Sequence, residues 1–200
     1  MSFFLDNWKT LLESVANQTK YALVPGSFRP PHKGHYSMFK FYSDLVGSTG
    51  KTIIIISDPQ KAKRLTSTGK PIPAEVAEQI IKLYCKNLPN VSTIISNAPV
   101  KTCYDFGENI SEGTLIFGCS RKDDDLKRFR AVKNYVEQHY PDLFVLDPQT
   151  TAVDAVNVKG TNVSASDFRS VFGDREKMKA FIPDHLTDTE KESVIDLLLQ

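Results

Sequence analysis

The stretch Val24-Pro25-Gly26-Ser27-Phe28-Arg29-Pro30-Pro31-His32-Lys33-Gly34-His35 follows the apolar run Tyr21-Ala22-Leu23-Val24 and leads into a segment with Tyr36, Met38, Phe39, Phe41, Tyr42, Leu45 and Val46 at helical spacing. It reads as a strand, a phosphate-binding turn, and a helix that begins near Gly34 and ends around Gly47. In this reading Gly26 lets the backbone approach a ligand closely and Pro30 and Pro31 stiffen the turn. The helix start offers unpaired N–H groups and the positive end of its dipole to an anion. His32 and His35 stand three apart at that start, so both imidazoles can point at one bound phosphate.

Working outward, Lys51-Thr52-Ile53-Ile54-Ile55-Ile56-Ser57 is β-branched and apolar on both faces, as a central parallel strand covered by helices should be. Further strands are expected at 91–96, 114–118 and 143–147, with helices over 73–87, 103–112 and 125–138. Strands and helices alternating at this spacing predict a doubly wound parallel five-stranded sheet with right-handed crossovers, flanked by helices. Phe4, Trp8, Leu11, Leu12 and Val15 recur at helical spacing and predict an extra N-terminal helix within 1–19. Residues 20–172 then form the α/β core and 173–200 a helical C-terminal tail, giving one domain over 1–200. The first helix and the tail 186–199 both offer apolar faces, so a homo-oligomer is possible.

The totals limit what such a domain can be. A formal charge of +1 from 25 basic and 24 acidic residues gives no bulk attraction to nucleic acid or to an anionic membrane. Three widely spaced cysteines, Cys85, Cys103 and Cys119, without a C-x-x-C pair, fit a reducing compartment better than a disulfide framework or a zinc site. The N-terminus lacks the pattern of a signal peptide, and no apolar run approaches membrane-spanning length, so a cytoplasmic location is expected. Gly47-Ser48-Thr49-Gly50-Lys51-Thr52 imitates the end of a Walker A loop, but Leu45 stands where its first glycine belongs and the run precedes a strand.

Three segments sit where an open α/β sheet binds ligands, beyond the carboxyl ends of its strands. The first is the loop after Asp58, whose Lys61, Lys63, Arg64 and Lys70 are candidates for the phosphate of a second substrate; a solvated surface loop accounts for any one of them equally well. The second is Gly118-Cys119-Ser120-Arg121-Lys122-Asp123-Asp124-Asp125, where Arg121 and Lys122 are candidate ligand contacts. Its three acids read as a helix cap or as a contact to nucleotide or magnesium. The third is Gly160 to Phe172, a loop entering a short helix. Ser164 or Ser166 can cap that helix, and hydroxyls, amides and Arg169 one turn on make a second anion site.

Gly26-x-Phe28-x-Pro30-x-His32-x-Gly34-His35 resembles the G-x-F-x-P-x-H-x-G-H signature of the nucleotidyltransferase superfamily, the cytidylyltransferase-like and adenylyltransferase group. Val163-Ser164-Ala165-Ser166-Asp167-Phe168-Arg169 resembles its C-terminal I-S-S-T-x-x-R element, with Ala165 and Ser166 where that element has its second Ser and its Thr. The Gly118 loop looks like the superfamily's intermediate segment, so the resemblance spans roughly residues 20 to 185. The phrase G-S-F-x-P-P-H-K-G-H is also similar to copies encoded by large tailed phages, which would place the protein in the host cytoplasm.

The resemblance implies a Rossmann-like sheet and transfer of a nucleoside monophosphate, AMP from ATP before CMP from CTP, to a phosphorylated small molecule with release of pyrophosphate. It implies His32 and His35 at the triphosphate, with Gly26, Ser27, Phe28, Gly34, Gly118 and Arg121 lining the nucleotide. Ser164, Ser166 and Arg169 would hold the departing pyrophosphate, and magnesium would be the cofactor. A non-catalytic nucleotide-binding module is the alternative of another class. A class I aminoacyl-tRNA synthetase shares a similar histidine motif, but the short chain, the lack of a K-M-S-K-type element and the lack of basic excess all count against it.

Overall fold

The computed structural model describes residues 19–58, 65–121, 123–154, 157–158 and 161–200. The expected N-terminal helix lies outside these residues, as do Lys61, Lys63, Arg64 and Lys122. Five strands, β1 (Lys20–Gly26), β2 (Lys51–Ser57), β3 (Val91–Ser96), β4 (Gly113–Phe117) and β5 (Leu143–Val145), form one sheet in the order β3-β2-β1-β4-β5. Every pairing in it is parallel, with Val24 opposite Ile54 and Ala22 opposite both Thr52 and Ile116. The strand order reverses between β1 and β4, and such a reversal opens a crevice beyond the strand ends. This is the Rossmann-like α/β arrangement expected.

The helices are α1 (Lys33–Val46), α2 (Ala74–Tyr84), α3 (Pro99–Asp105) running into a 3-10 turn (Phe106–Asn109), α4 (Asp123–His139), and α5 (Pro148–Thr151). After a small hairpin of β6 (Asn157–Val158) and β7 (Thr161–Asn162) come α6 (Ala165–Ser170), α7 (Arg175–Lys179) and α8 (Asp188–Leu199). The expectation of a helix over 103–112 is displaced toward the N-terminus because Pro99 sits in the first helical turn, where its missing N–H costs nothing. β5 stops at Val145 because Asp147 caps α5, accepting from Gln149 N. No helix among the described residues is long and apolar enough to cross a membrane.

Alternation along β1, β2 and β4 splits the apolar residues between two cores. Ala22, Val24, Ile54, Ile56 and Ile116 face one side with Phe39 and Tyr42 of α1, and Leu23, Ile55, Leu115 and Phe117 face the other with Phe129 and Val132 of α4. The tail does not present its apolar face to solvent. Val194, Ile195 and Leu198 of α8 are buried in the first core, and α8 packs on α2. The helix is started by a capping box between Thr187 and Glu190, and Glu190 is ion-paired to Lys86. The face read from sequence as a possible partner contact is thus an internal one, since apolar spacing marks a buried stripe without naming what covers it.

Candidate active site

The β1–α1 turn carries the two histidines, and their backbone setting fixes their chemistry. His32 is the N-cap of α1, and its Nδ1 accepts from Gly34 N at 3.1 Å. His35 Nδ1 accepts in turn from His32 N at 3.3 Å, closing a capping box built of imidazoles. Lys33 N donates to Phe181 O at 2.7 Å, and His35 N and Tyr36 N both reach His32 O, at 2.8 and 3.1 Å. The first-turn N–H groups expected to meet an anion are therefore already engaged. A histidine can cap a helix as Ser or Asn does, and the carbonyl of Phe181 arrives from 148 residues away in sequence.

What α1 offers instead is the pair of side chains. Burial holds His32 down at about 4, with the nearby carboxylate of Asp167 opposing that shift; burial and then His32 hold His35 well below its ordinary value. Both are neutral at pH 7. With each Nδ1 accepting, each proton sits on Nε2. The rings are stacked, centroids 3.7 Å apart at 27°, so two Nε2–H donors stand side by side at the positive end of the helix dipole.

Phe28 holds this pair in place. It adopts φ 47, in the left-handed region that a bulky residue occupies only when its surroundings force it. Its ring is 4 % exposed and meets His35 edge-on at 5.0 Å and Phe39 at 5.1 Å. A Cβ on Gly26 would lie 2.4 Å from Phe28 Cζ. The space that Gly26 leaves is thus filled by the protein's own ring, where the sequence suggested a ligand.

The second motif is joined to the first. Arg169 Nη1 donates to the carbonyl of Arg29 at 2.9 Å, and the Arg169 carbonyl accepts from Ser67 N at 3.2 Å. Arg29, missed in the sequence, is 6 % exposed, and its Nε donates to Ser27 Oγ at 3.3 Å. Ser164 is the cap of α6: its Oγ accepts from Asp167 N at 3.1 Å and donates to Asp167 Oδ2 at 2.6 Å. Ser166 is exposed. Lys70 ends a hairpin turn and its Nζ donates to Gln200 O at 3.2 Å, which ties it to the chain end.

The β4–α4 loop forms the opposite wall. A Cβ on Gly118 would lie 2.7 Å from Val24 Cγ2 and 3.0 Å from Tyr42 Cε2, so this glycine too serves close packing. Tyr42 Oη donates to Thr151 O at 2.8 Å and accepts from Cys119 N at 3.1 Å, locking the loop to α1 and α5. Asp125 Oδ2 accepts from Ser120 Oγ at 2.5 Å, a bond across the loop. Arg121 pairs with Asp154, Nε to Oδ1 3.1 Å. Together with Gly34, Met38, Phe41 and Val153 this pair lines a cleft of about 400 Å³ that reaches the start of α1 at Gly34, and Phe41 is 42 % exposed. A cleft of this size suits a nucleoside.

Among the described residues no group of three or more His, Cys, Asp or Glu is arranged to hold a metal ion unaided. A magnesium ion would fit here only as part of a triphosphate complex, since that ion is bound mainly by phosphate oxygens with one or two carboxylates. No curated protein matches the chain. The family described as cytidylyltransferase-like matches residues 23–193, which takes in the sheet from Leu23 of β1 onward, both histidines, the Gly118 loop, Arg169 and the start of α8. With that match over most of its length, the chain belongs to the cytidylyltransferase-like family of nucleotidyltransferases.

Proposed function

We propose that the protein transfers AMP from ATP to a phosphorylated small molecule and releases pyrophosphate, with CTP as the alternative donor. The observation that carries this reading is the stacked pair of neutral imidazoles, tied through the Arg29–Arg169 bond to the second motif, at a helix start whose Gly34 lines a cleft of about 400 Å³. An acceptor phosphate oxygen attacks the α-phosphorus, the bond from that phosphorus to the oxygen bridging to the β-phosphorus breaks, and pyrophosphate carries the charge away. This chemistry needs alignment and charge stabilisation, with no protein nucleophile.

His32 and His35 supply two fixed Nε2–H donors to the transferred and leaving phosphates, and neutrality suits them to donate a hydrogen bond without losing the proton. Arg169 adds a cation whose planar fork can bond two phosphate oxygens. Magnesium, bound with the triphosphate, supplies the remaining charge neutralisation. Arg121, Gly34, Gly118, Ser27, Ser164 and Ser166 complete the nucleotide side. Lys63, Arg64 and Lys70 are the proposed contacts of the acceptor phosphate.

Incubation with each α-labelled triphosphate, magnesium and a panel of phosphorylated acceptors tests the reading. Label must pass from one of the triphosphates to an acceptor, and His35→Ala must abolish most of that transfer, on the order of 10²–10³ in rate. Triphosphate binding with no transfer to any acceptor would favour a non-catalytic module.

A further inference from the structure

We infer that Phe181 is a positioning residue: it holds the histidine turn and Arg169, the two halves of the phosphate site, in a fixed mutual placement. The inference rests on the nucleotidyltransferase reading and concerns a residue beyond both motifs, in the segment read from sequence as a tail.

The start of α1 has one donor that its own turn does not meet. Gly34 N is met by His32 Nδ1 at 3.1 Å, and His35 N and Tyr36 N by His32 O at 2.8 and 3.1 Å. Lys33 N, the first N–H of the helix, donates instead to Phe181 O at 2.7 Å. The same residue reaches the second motif through its ring, which lies on Phe168 with centroids 4.9 Å apart and planes at 7°. Parallel rings at that separation are slid sideways across one another, an arrangement that aromatic pairs favour. Phe168 is fully buried and stands next to Arg169 in α6.

Phe181 is itself firmly mounted. Its N donates to Met178 O at 3.0 Å, and Met178 before it and Ile182 after it are fully buried in the first core. Arg175 and Lys179 of α7 are both ion-paired to Glu192 of α8. The bond from Arg169 Nη1 to Arg29 O sets a distance between the motifs, and a single such bond leaves α6 able to turn about it. A backbone bond to α1 and a ring contact to α6, both from Phe181, oppose that rotation. The placement matters because a displacement of about 1 Å at a reacting site can cost on the order of 10²-fold in rate.

Kinetics at a temperature well below each variant's Tm separate this role from one in stability alone. With Mg2+ and the triphosphate and acceptor that the wild type uses, Phe181→Ala should lower kcat by about tenfold or more and leave KM for triphosphate within about threefold. Phe181→Tyr keeps the ring, and its hydroxyl can reach solvent from a half-buried site, so kcat should return to within about threefold of the wild type. Ile195→Ala, destabilised through the buried face of α8, should keep its kcat too. Amide hydrogen exchange reads the tie without turnover. Phe181→Ala should speed exchange at Lys33 N by about tenfold or more beyond the change in α8, because global unfolding alone would speed both alike. A kcat of Phe181→Ala within about threefold of the wild type, no recovery in Phe181→Tyr, an equal loss in Ile195→Ala, or Lys33 exchange that rises only in step with α8 overturns the role of Phe181. A wild type that transfers label from no triphosphate overturns the nucleotidyltransferase reading instead, and Lys33 exchange then decides by itself whether Phe181 holds the turn.

Discussion

Replacing Gly26 by Ala separates two accounts of the same residue. If Gly26 exists to let a nucleotide approach the backbone, the added methyl group blocks ligand and leaves the fold alone. In the structure the methyl carbon lies 2.4, 2.7 and 2.9 Å from Cζ, Cε1 and Cε2 of Phe28. The ring tip must retreat by about 1 Å to reach ordinary contact distance. It has little room, because Phe28 is 4 % exposed, its backbone sits at φ 47, and Phe39 and His35 bracket the ring. Overpacking of this kind costs about 1–3 kcal/mol, which for a domain of this size lowers Tm by roughly 2–12 °C.

Urea unfolding and thermal melting of Gly26→Ala, Phe28→Leu and the double variant measure the effect. Leu is shorter at the position of the clash, so the double variant should be more stable than the two single costs predict, by about 1 kcal/mol or more. The variant should also lose activity, since a displacement of about 1 Å at His35 can cost on the order of 10²-fold in rate. Stability of Gly26→Ala within about 0.5 kcal/mol of the wild type, or strictly additive costs, would refute the packing argument.

Further outcomes follow from the same contacts. His32 takes up a proton near pH 6.5 when unfolded and only at about 4 when folded, so the stability it contributes is complete above pH 6.5 and is lost as pH falls toward 4. That loss amounts to about 3 kcal/mol at most; His32→Asn, which keeps a cap acceptor, should show a shallower fall of urea midpoint from pH 7 to 4.5, and an unchanged slope would refute the assignment. Tyr42→Phe leaves Cys119 N without its acceptor and should cost about 1–3 kcal/mol in urea unfolding, together with a raised KM for triphosphate. Ile195→Ala, in the buried face of α8, should cost about 2–5 kcal/mol, whereas a tail lying free of the core would tolerate it.

The sheet was legible because its strands announce themselves: Ile53 to Ile56 are β-branched and apolar without alternation, which only a strand covered on both faces can use. The two motifs were legible as well, since their spacing carries the resemblance. Less could be read of how they work. Glycine at position 26 signals that something comes close, and sequence does not say whether a ligand or Phe28. The capping by His32 escaped notice because helix starts are sought by their Ser, Thr, Asp and Asn. The bond from Lys70 Nζ to Gln200 O, 130 residues on, could not be read from the sequence, because only the fold brings the two together. Arg29 stands at an unspecified position of the first motif, and only the fold brings its carbonyl to Arg169.

The central claim, that two neutral Nε2–H imidazoles meet the phosphates in place of a free helix backbone, is tested most directly by long-range 15N NMR of the histidine side chains at pH 7. His32 and His35 should both show a bare Nδ1 and a protonated Nε2, and both Nε2–H signals should shift when ATP or CTP with Mg2+ is added. An imidazolium signature at either residue, a proton on Nδ1, or Nε2–H signals that ignore a bound triphosphate would contradict it.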